Sequence, residues 1–177
     1  MVNELIIDVV RRKHISESVL SEVLDLCSEA YGMDYLPFLT SFEDATHVLG
    51  TYCGRLVSHA LWITRWLQYS RLPFWRTAYV EAVATGKRYR NRDFATLVMK
   101  RLAEEIKDFD IGALSTGSFD FYARLGWMLW RGPLSIRKEG ELIPTPGDSV
   151  MVLSLPGTPE LDLDAPLSIE WRQGELW

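Results

Sequence analysis

Cysteine and histidine are scarce. The 177 residues hold two cysteines, Cys27 and Cys53, and three histidines, His14, His47 and His59. Neither cysteine lies in a CxxC pattern, and no HxxxH or HExxH spacing exists, so neither a metal site nor a disulfide is expected. Long apolar runs are lacking as well, which excludes a helical membrane span. Glu4 and Asp8 interrupt the first apolar stretch, and Arg11-Arg12 is followed by Lys13-His14. No leader peptide is therefore expected, and the reading points to a cytoplasmic protein. There is no excess of basic charge either. The net charge is −5, which speaks against nucleic acid as the main partner and suits a cationic ligand. Repeats and low-complexity segments are absent. What is present, 47% apolar and 24% charged residues, is the make-up of one globular domain spanning 1–177.

Residues 5–10 read as a first strand. Ser16 is placed to cap a helix in which Val19, Leu20, Val23, Leu24 and Cys27 share one face, closed by Gly32. Residues 33–44, acidic and broken by Pro37, read as a loop with a short helix. Two strands, 47–53 and 56–66, flank a tight turn at Gly54. A third, 74–84, completes an antiparallel meander. A helix then carries Phe94, Leu97, Val98, Leu102 and Ile106 on one stripe. The next strand, 111–115, has no hairpin signal before it, so it should run parallel to the third. Thr116-Gly117-Ser118 opens a short helix over 119–125 that Gly126 ends. Residues 127–137 read as strand interrupted at Gly132-Pro133, and 150–155 as the last clear strand. The Pro- and acid-rich tail, 156–177, ends on tryptophan, which is unusual for a disordered end and suggests that it folds back.

The chain is organised around its third strand. Glu81 is the one group charged at neutral pH in the run Tyr79-Val80-Glu81-Ala82-Val83-Ala84. A carboxylate there is either paired, with Arg76 or Arg65 as candidates, or used in chemistry. Lys87, Arg88, Arg90 and Arg92 follow at once, just before a helix start. Such a start already favours anions through its unpaired N–H groups, so this is either a phosphate site or a solvated turn. Tyr122 is either a core tyrosine with a bonded hydroxyl or an acid.

A meander, a phosphate loop, a helix, a parallel strand and then Phe121-Tyr122-Ala123-Arg124-Leu125-Gly126-Trp127 together resemble the GNAT family of acetyl-CoA-dependent N-acetyltransferases. Within it, Tyr79-Val80-Glu81, Gly112-Ala113-Leu114-Ser115, Gly126-Trp127 with Trp130 and Gly132-Pro133, and the terminal Trp171-Arg172-x-Gly174-acid-x-Trp177 are similar to the aminoglycoside 2′-N-acetyltransferases. The resemblance implies an α+β fold: a central mixed, mostly antiparallel sheet flanked by helices and splayed at a bulged strand. It implies transfer of an acetyl group from acetyl-CoA to an amine of a cationic small molecule, an aminoglycoside first, with antibiotic resistance as a consequence. No metal is required, and a homodimer is implied.

For single residues the resemblance implies Glu81 as the base that deprotonates the amine through water. Tyr122 would be the acid toward the leaving thiolate, and the carboxylate of Trp177 a further catalytic and substrate-binding group. Ala82 and Val83 would hold the acetyl carbonyl and pantetheine by backbone groups. Arg88, Arg90, Asn91, Arg92, Phe94 and Ala95 would form the pyrophosphate loop. Asp34, Ser115, Asp148, Glu175 and Trp177 would contact the cationic acceptor. Two positions depart from the family pattern: Asp93 stands where glycine is common, and Leu39 where a second acidic contact is expected. The first departure keeps open a non-catalytic binding domain, the second another acceptor such as a polyamine or amino sugar.

Overall fold

The computed structural model describes residues 4–174 and 177. Glu175, expected at the acceptor, lies outside the described residues. The fold is α+β and divides into two units. One ends at Ile63 and resumes over Val80–Glu105; the other takes Thr64–Tyr79 and everything from Ile106 on.

In the first unit, strand β1 (Ile6–Arg11) pairs antiparallel with β2 (Thr46–Tyr52), and β2 antiparallel with the first part of β3 (Arg55–Tyr69). Cys53 and Gly54, at φ +50° and +73°, make the β2–β3 turn. Positive φ at both central residues matches the twist of the flanking strands. The second part of β4 (Phe74–Thr85) lies next to β3. Helix α1 (Glu17–Tyr31) starts where Ser16 Oγ accepts the Val19 N–H at 3.3 Å and ends at Gly32, φ +69°. Its Val23, Leu26 and Cys27 pack with Leu39 and Phe42, around helix α2 (Leu36–Ser41), and with Leu49, Leu61, Ala82 and Ala84. Helix α3 (Phe94–Glu105) lies so close to β2 that a Cβ on Gly50 would stand 3.0 Å from Val98 Cγ2.

One element of the expected α3 stripe is wrong. Leu97 is 43% exposed and Met99 is 1% exposed in its place. At about 100° per residue, Leu97 and Met99 each fall about 100° from the centre of the face set by Phe94, Val98 and Leu102, on opposite sides. The helical period alone does not choose between them, and tertiary packing covers the Met99 side.

In the second unit, the strands follow the order β6 (Met128–Leu129), β9 (Val150–Ser154), β5 (Ile111–Ser115), the first part of β4, the last part of β3, β10 (Leu167–Glu170), β7 (Leu134–Lys138) and β8 (Glu141–Pro144). β5 runs parallel to β4, as the long connection requires, and β10 runs parallel to β7. The pairings of β10 with β3, β5 with β9, β6 with β9 and β7 with β8 are antiparallel. Helix α4 (Phe119–Ala123) is shorter than expected, and Gly126 beyond it sits at φ +89°. The tail folds back as strand β10, between β3 and β7. Arg65, 1% exposed, clamps it there: its Nε meets Glu170 Oε1 at 3.2 Å and its Nη2 donates to the Glu170 carbonyl at 2.5 Å. Neither β8 nor β10 is evident in the sequence. β8 is exposed throughout, and β10 is four residues among prolines and acids.

Candidate active site

The first unit carries Glu81, half-buried in β4. The next residue, Ala82, is at φ +52° inside the strand. Alanine in the left-handed region is rare and costs about 1–2 kcal/mol, so the backbone is turned here for a reason outside the residue itself. Ala82 and Ala84 are buried and face the α1 core, while Glu81 and Val83 are half-buried. Tyr31 Oη donates to the Val83 carbonyl at 3.1 Å.

The basic loop follows. Lys87, Arg88, Arg90, Asn91 and Arg92 are exposed, whereas Phe94 is buried and Ala95 half-buried. Asn91 and Asp93 take φ +60° and +58°. The Asp93 carbonyl accepts the Leu97 N–H at 2.9 Å, so Asp93 is the residue that opens α3. Its positive φ is the reason a glycine suits the position. Aspartate is among the few other residues that tolerate that region. Arg92 lies over the rings of Tyr52 and Tyr89, 5.7 and 5.9 Å from their centroids.

Asp34 is exposed, and its Oδ1 accepts the Leu36 N–H at 3.0 Å, an Asx turn that leads into α2. Leu39 is 2% exposed in the core. The position where a second acidic contact is expected therefore serves packing.

Sequence reasoning passes over His47 and His59, which are both fully buried. His47 Nδ1 lies 2.9 Å from His59 Nε2, and His59 Nδ1 lies 2.8 Å from the Ala82 carbonyl oxygen. Their one sequence signal is position: each sits inside an apolar strand. Burial holds the His47 imidazole down at about 3, helped by repulsion from His59 and Arg12, and burial holds His59 down at about 4. The sign of the linkage is then fixed. Between pH 6.5 and about 4 the unfolded chain protonates both rings and the folded chain neither, so stability falls as pH falls, by ~1.4 kcal/mol per pH unit for each ring. Urea midpoints at pH 7, 6 and 5 should decline steeply, and the double variant His47→Asn, His59→Asn should decline less. Parallel slopes for the two proteins would contradict this.

The second unit gathers a different set. Ser115, at the end of β5, donates from Oγ to the Ser149 carbonyl at 3.2 Å. The Asp148 N–H donates to the Thr145 carbonyl at 3.1 Å, and Trp177 Nε1 donates to Thr145 Oγ1 at 2.9 Å. Ser115, Asp148 and Trp177 are thus tied to the single stretch 145–149. Trp177 is 4% exposed, and Asp148 is exposed. Tyr122, on α4, is 7% exposed, and burial pushes its phenol up to about 12. It stays protonated at neutral pH, the state a proton donor needs. Arg65 and Arg76, the cations considered for Glu81, hold Glu170 at 3.2 Å and Asp108 at 3.6 Å.

With this geometry in place, residues 11–130 match a family described as "Acetyltransferase (GNAT) domain". The chain is 34% identical over 155 residues to an aminoglycoside 2′-N-acetyltransferase of Mycolicibacterium fortuitum, covering 79% of each protein. Among solved structures it is similar to the GNAT family N-acetyltransferase YhbS of Escherichia coli in complex with CoA, with a TM-score of 0.69 at 12% identity over 98% of this chain and 92% of that one. It is also similar to a probable N-acyltransferase of Enterococcus faecalis, with a TM-score of 0.61 at 14% identity. That match covers 73% of this chain but only 33% of the longer protein.

Proposed function

Because the chain belongs to the GNAT acetyltransferases, and is an enzyme of that N-acetyltransferase class, we propose that it moves an acetyl group from acetyl-CoA to an amine of a cationic small molecule. An aminoglycoside 2′-amine is the first candidate. The observation that carries this reading is the turned backbone at Ala82, beside the strand carboxylate Glu81 and ahead of an exposed loop of four cations.

The residues fit the co-substrate. Lys87, Arg88, Arg90 and Arg92 set four positive charges against the one acid, Asp93, around the start of a helix of 12 residues. Arg88, Arg90, Asn91 and Arg92 would hold the pyrophosphate with the first N–H groups of α3, while Phe94 and Ala95 anchor the loop. When bound, acetyl-CoA supplies an activated acyl group. Glu81 takes the proton that the amine must lose before attack. N–H groups at Ala82 and Val83 stabilise the oxyanion and place the pantetheine. Tyr122 donates to the thiolate as it leaves. Asp34, Ser115, Asp148 and Trp177 receive the acceptor's positive charges, and Trp177 also assists catalysis. In this reading the tail, 156–177, closes on the acceptor. The use of acetyl-CoA is consistent with a cytoplasmic enzyme. Edge strand β8, with Leu142 62% and Ile143 44% exposed, is suited to a homodimer. Modification of an aminoglycoside would confer resistance to it.

The decisive assay follows thiol release from acetyl-CoA against an aminoglycoside carrying a 2′-amine, its 2′-hydroxyl congener, and a polyamine. Turnover with the 2′-amine and none with the congener is expected. Buried Leu39 favours a second reading, in which a polyamine or amino sugar is preferred, and the same panel would reveal it. Absence of thiol release with every acceptor, together with no binding of CoA by wild type or Asp93→Gly, would sink both readings.

A further inference from the structure

His47 on β2 and His59 on β3 are diagonal neighbours: His47 pairs with Leu61, and His59 with Leu49. Both rings are fully buried in the first unit. Their bonds leave one arrangement of protons. A carbonyl oxygen only accepts, so the 2.8 Å contact to Ala82 requires the proton on His59 Nδ1. His59 Nε2 is then a bare acceptor, and the 2.9 Å contact to His47 requires the proton on His47 Nδ1. His47 Nε2 is left as a buried lone pair with no hydrogen-bond partner among the described residues. The other group near this junction, the Cys27 thiol, lies 3.9 Å from His59 Nδ1 and 4.0 Å from the Ala82 oxygen, too far to replace the ring as donor.

A polar chain that leaves its far end unsatisfied is a costly way to fill a core, since apolar side chains would pack there without that loss. Its near end shows what it holds. Ala82 is at φ +52°, and the bond from His59 fixes the direction of its carbonyl. The Ala82 carbonyl and the Val83 N–H belong to one planar trans peptide unit and point in opposite directions. Whatever fixes one fixes the other. The Val83 N–H therefore points away from His59.

We propose that His59, oriented by His47, is a positioning residue: by holding the Ala82 carbonyl it aims the Val83 N–H at the oxygen of the acyl group. This rests on the acetyl-transfer reading above. His59 touches neither substrate, and it acts through the peptide it holds.

Two conservative variants separate this role from mere packing. Asparagine places its amide nitrogen where His59 Nδ1 stands, and glutamine places it near Nε2. His59→Asn should keep kcat within about threefold of wild type, and His59→Gln should lose about tenfold to hundredfold, with KM for acetyl-CoA moving less than kcat. Equal kcat in the two variants overturns the proposal, whether both are active or both impaired. Side-chain ¹⁵N spectra of the intact wild type should show both rings neutral and protonated at Nδ1; an Nε2-protonated His59 overturns it as well. Should wild type transfer no acetyl group at all, the acetyl-transfer reading has failed instead. The Val83 amide resonance then decides the positioning role alone: displaced in His59→Gln and retained in His59→Asn if the role is real, unmoved in both if it is not.

Discussion

Glu81→Gln is expected to lower kcat/KM for the amine about 10²–10⁴-fold while leaving acetyl-CoA binding unchanged. The substitution keeps the shape of the side chain and its capacity to accept a hydrogen bond. It removes the capacity to take a proton. A protonated amine has no lone pair for the thioester carbonyl, so the reaction needs a group that can strip the proton at the moment of attack. Glu81 is the one carboxylate of its strand, next to the residue whose backbone is turned. The measurement is steady-state thiol release across pH 6–9, with CoA binding by calorimetry as the control. Recovery of the lost rate at high pH, where free amine accumulates without a base, would confirm the assignment. A variant as active as wild type at neutral pH would show that water alone deprotonates the acceptor. Equal loss of activity and of CoA binding would mean that Glu81 shapes the strand.

The second large effect concerns stability. Gly132→Ala should destabilise the fold by about 3–5 kcal/mol, near the top of the range for single substitutions. A Cβ on Gly132 would stand 1.9 Å from the Ala165 carbonyl oxygen and within 2.7 Å of the carbonyl carbons of Ala165 and Asp164. All three are backbone atoms, so no rotamer relieves the clash. The segment it would displace is tied to this one many times over. The Arg131 and Gly132 N–H groups donate to the Leu163 carbonyl at 2.8 and 2.9 Å. Trp130 Nε1 donates to the Ala165 carbonyl at 2.9 Å. Pushing the 162–165 stretch away breaks these bonds and loosens β10, which starts two residues later. The expected result is a large drop in urea midpoint, with Gly147→Ala nearly neutral as the comparison, because nothing lies within 4 Å of a Cβ there. Comparable midpoints for the two variants would refute the crowding at Gly132.

Much of the candidate site is legible in the amino-acid sequence. Glu81 stands out as a carboxylate in an apolar run, and the basic loop as cations gathered ahead of a helix. Tyr122, Ser115, Asp148 and Trp177 follow from a family resemblance and not from spacing, since no local pattern marks them. The structure ties Ser115, Asp148 and Trp177 to one stretch of chain and shows Tyr122 buried. Asp93 illustrates a different limit. As a side chain it looks like an intruder in a phosphate loop. Its φ of +58° shows that the position makes a backbone demand, and aspartate meets it at a cost glycine avoids. His47 and His59 carry no such signal, because twelve residues and a hairpin separate them, a spacing without a chemical signature.

By itself the sequence determined the features whose causes lie within a few residues. The turn at Cys53-Gly54, the helix closure at Gly32, the Ser16 cap and the parallel return of β5 are of this kind. Each follows from local sterics or from the length of one connection. Only the tertiary structure decided that the tail becomes β10 between β3 and β7, that Gly132 is crowded by Ala165, and that two histidines line up behind the Ala82 carbonyl. Those outcomes depend on strand register between distant segments. A shift of one residue reverses every side chain, and nothing within a short window of sequence encodes which register wins.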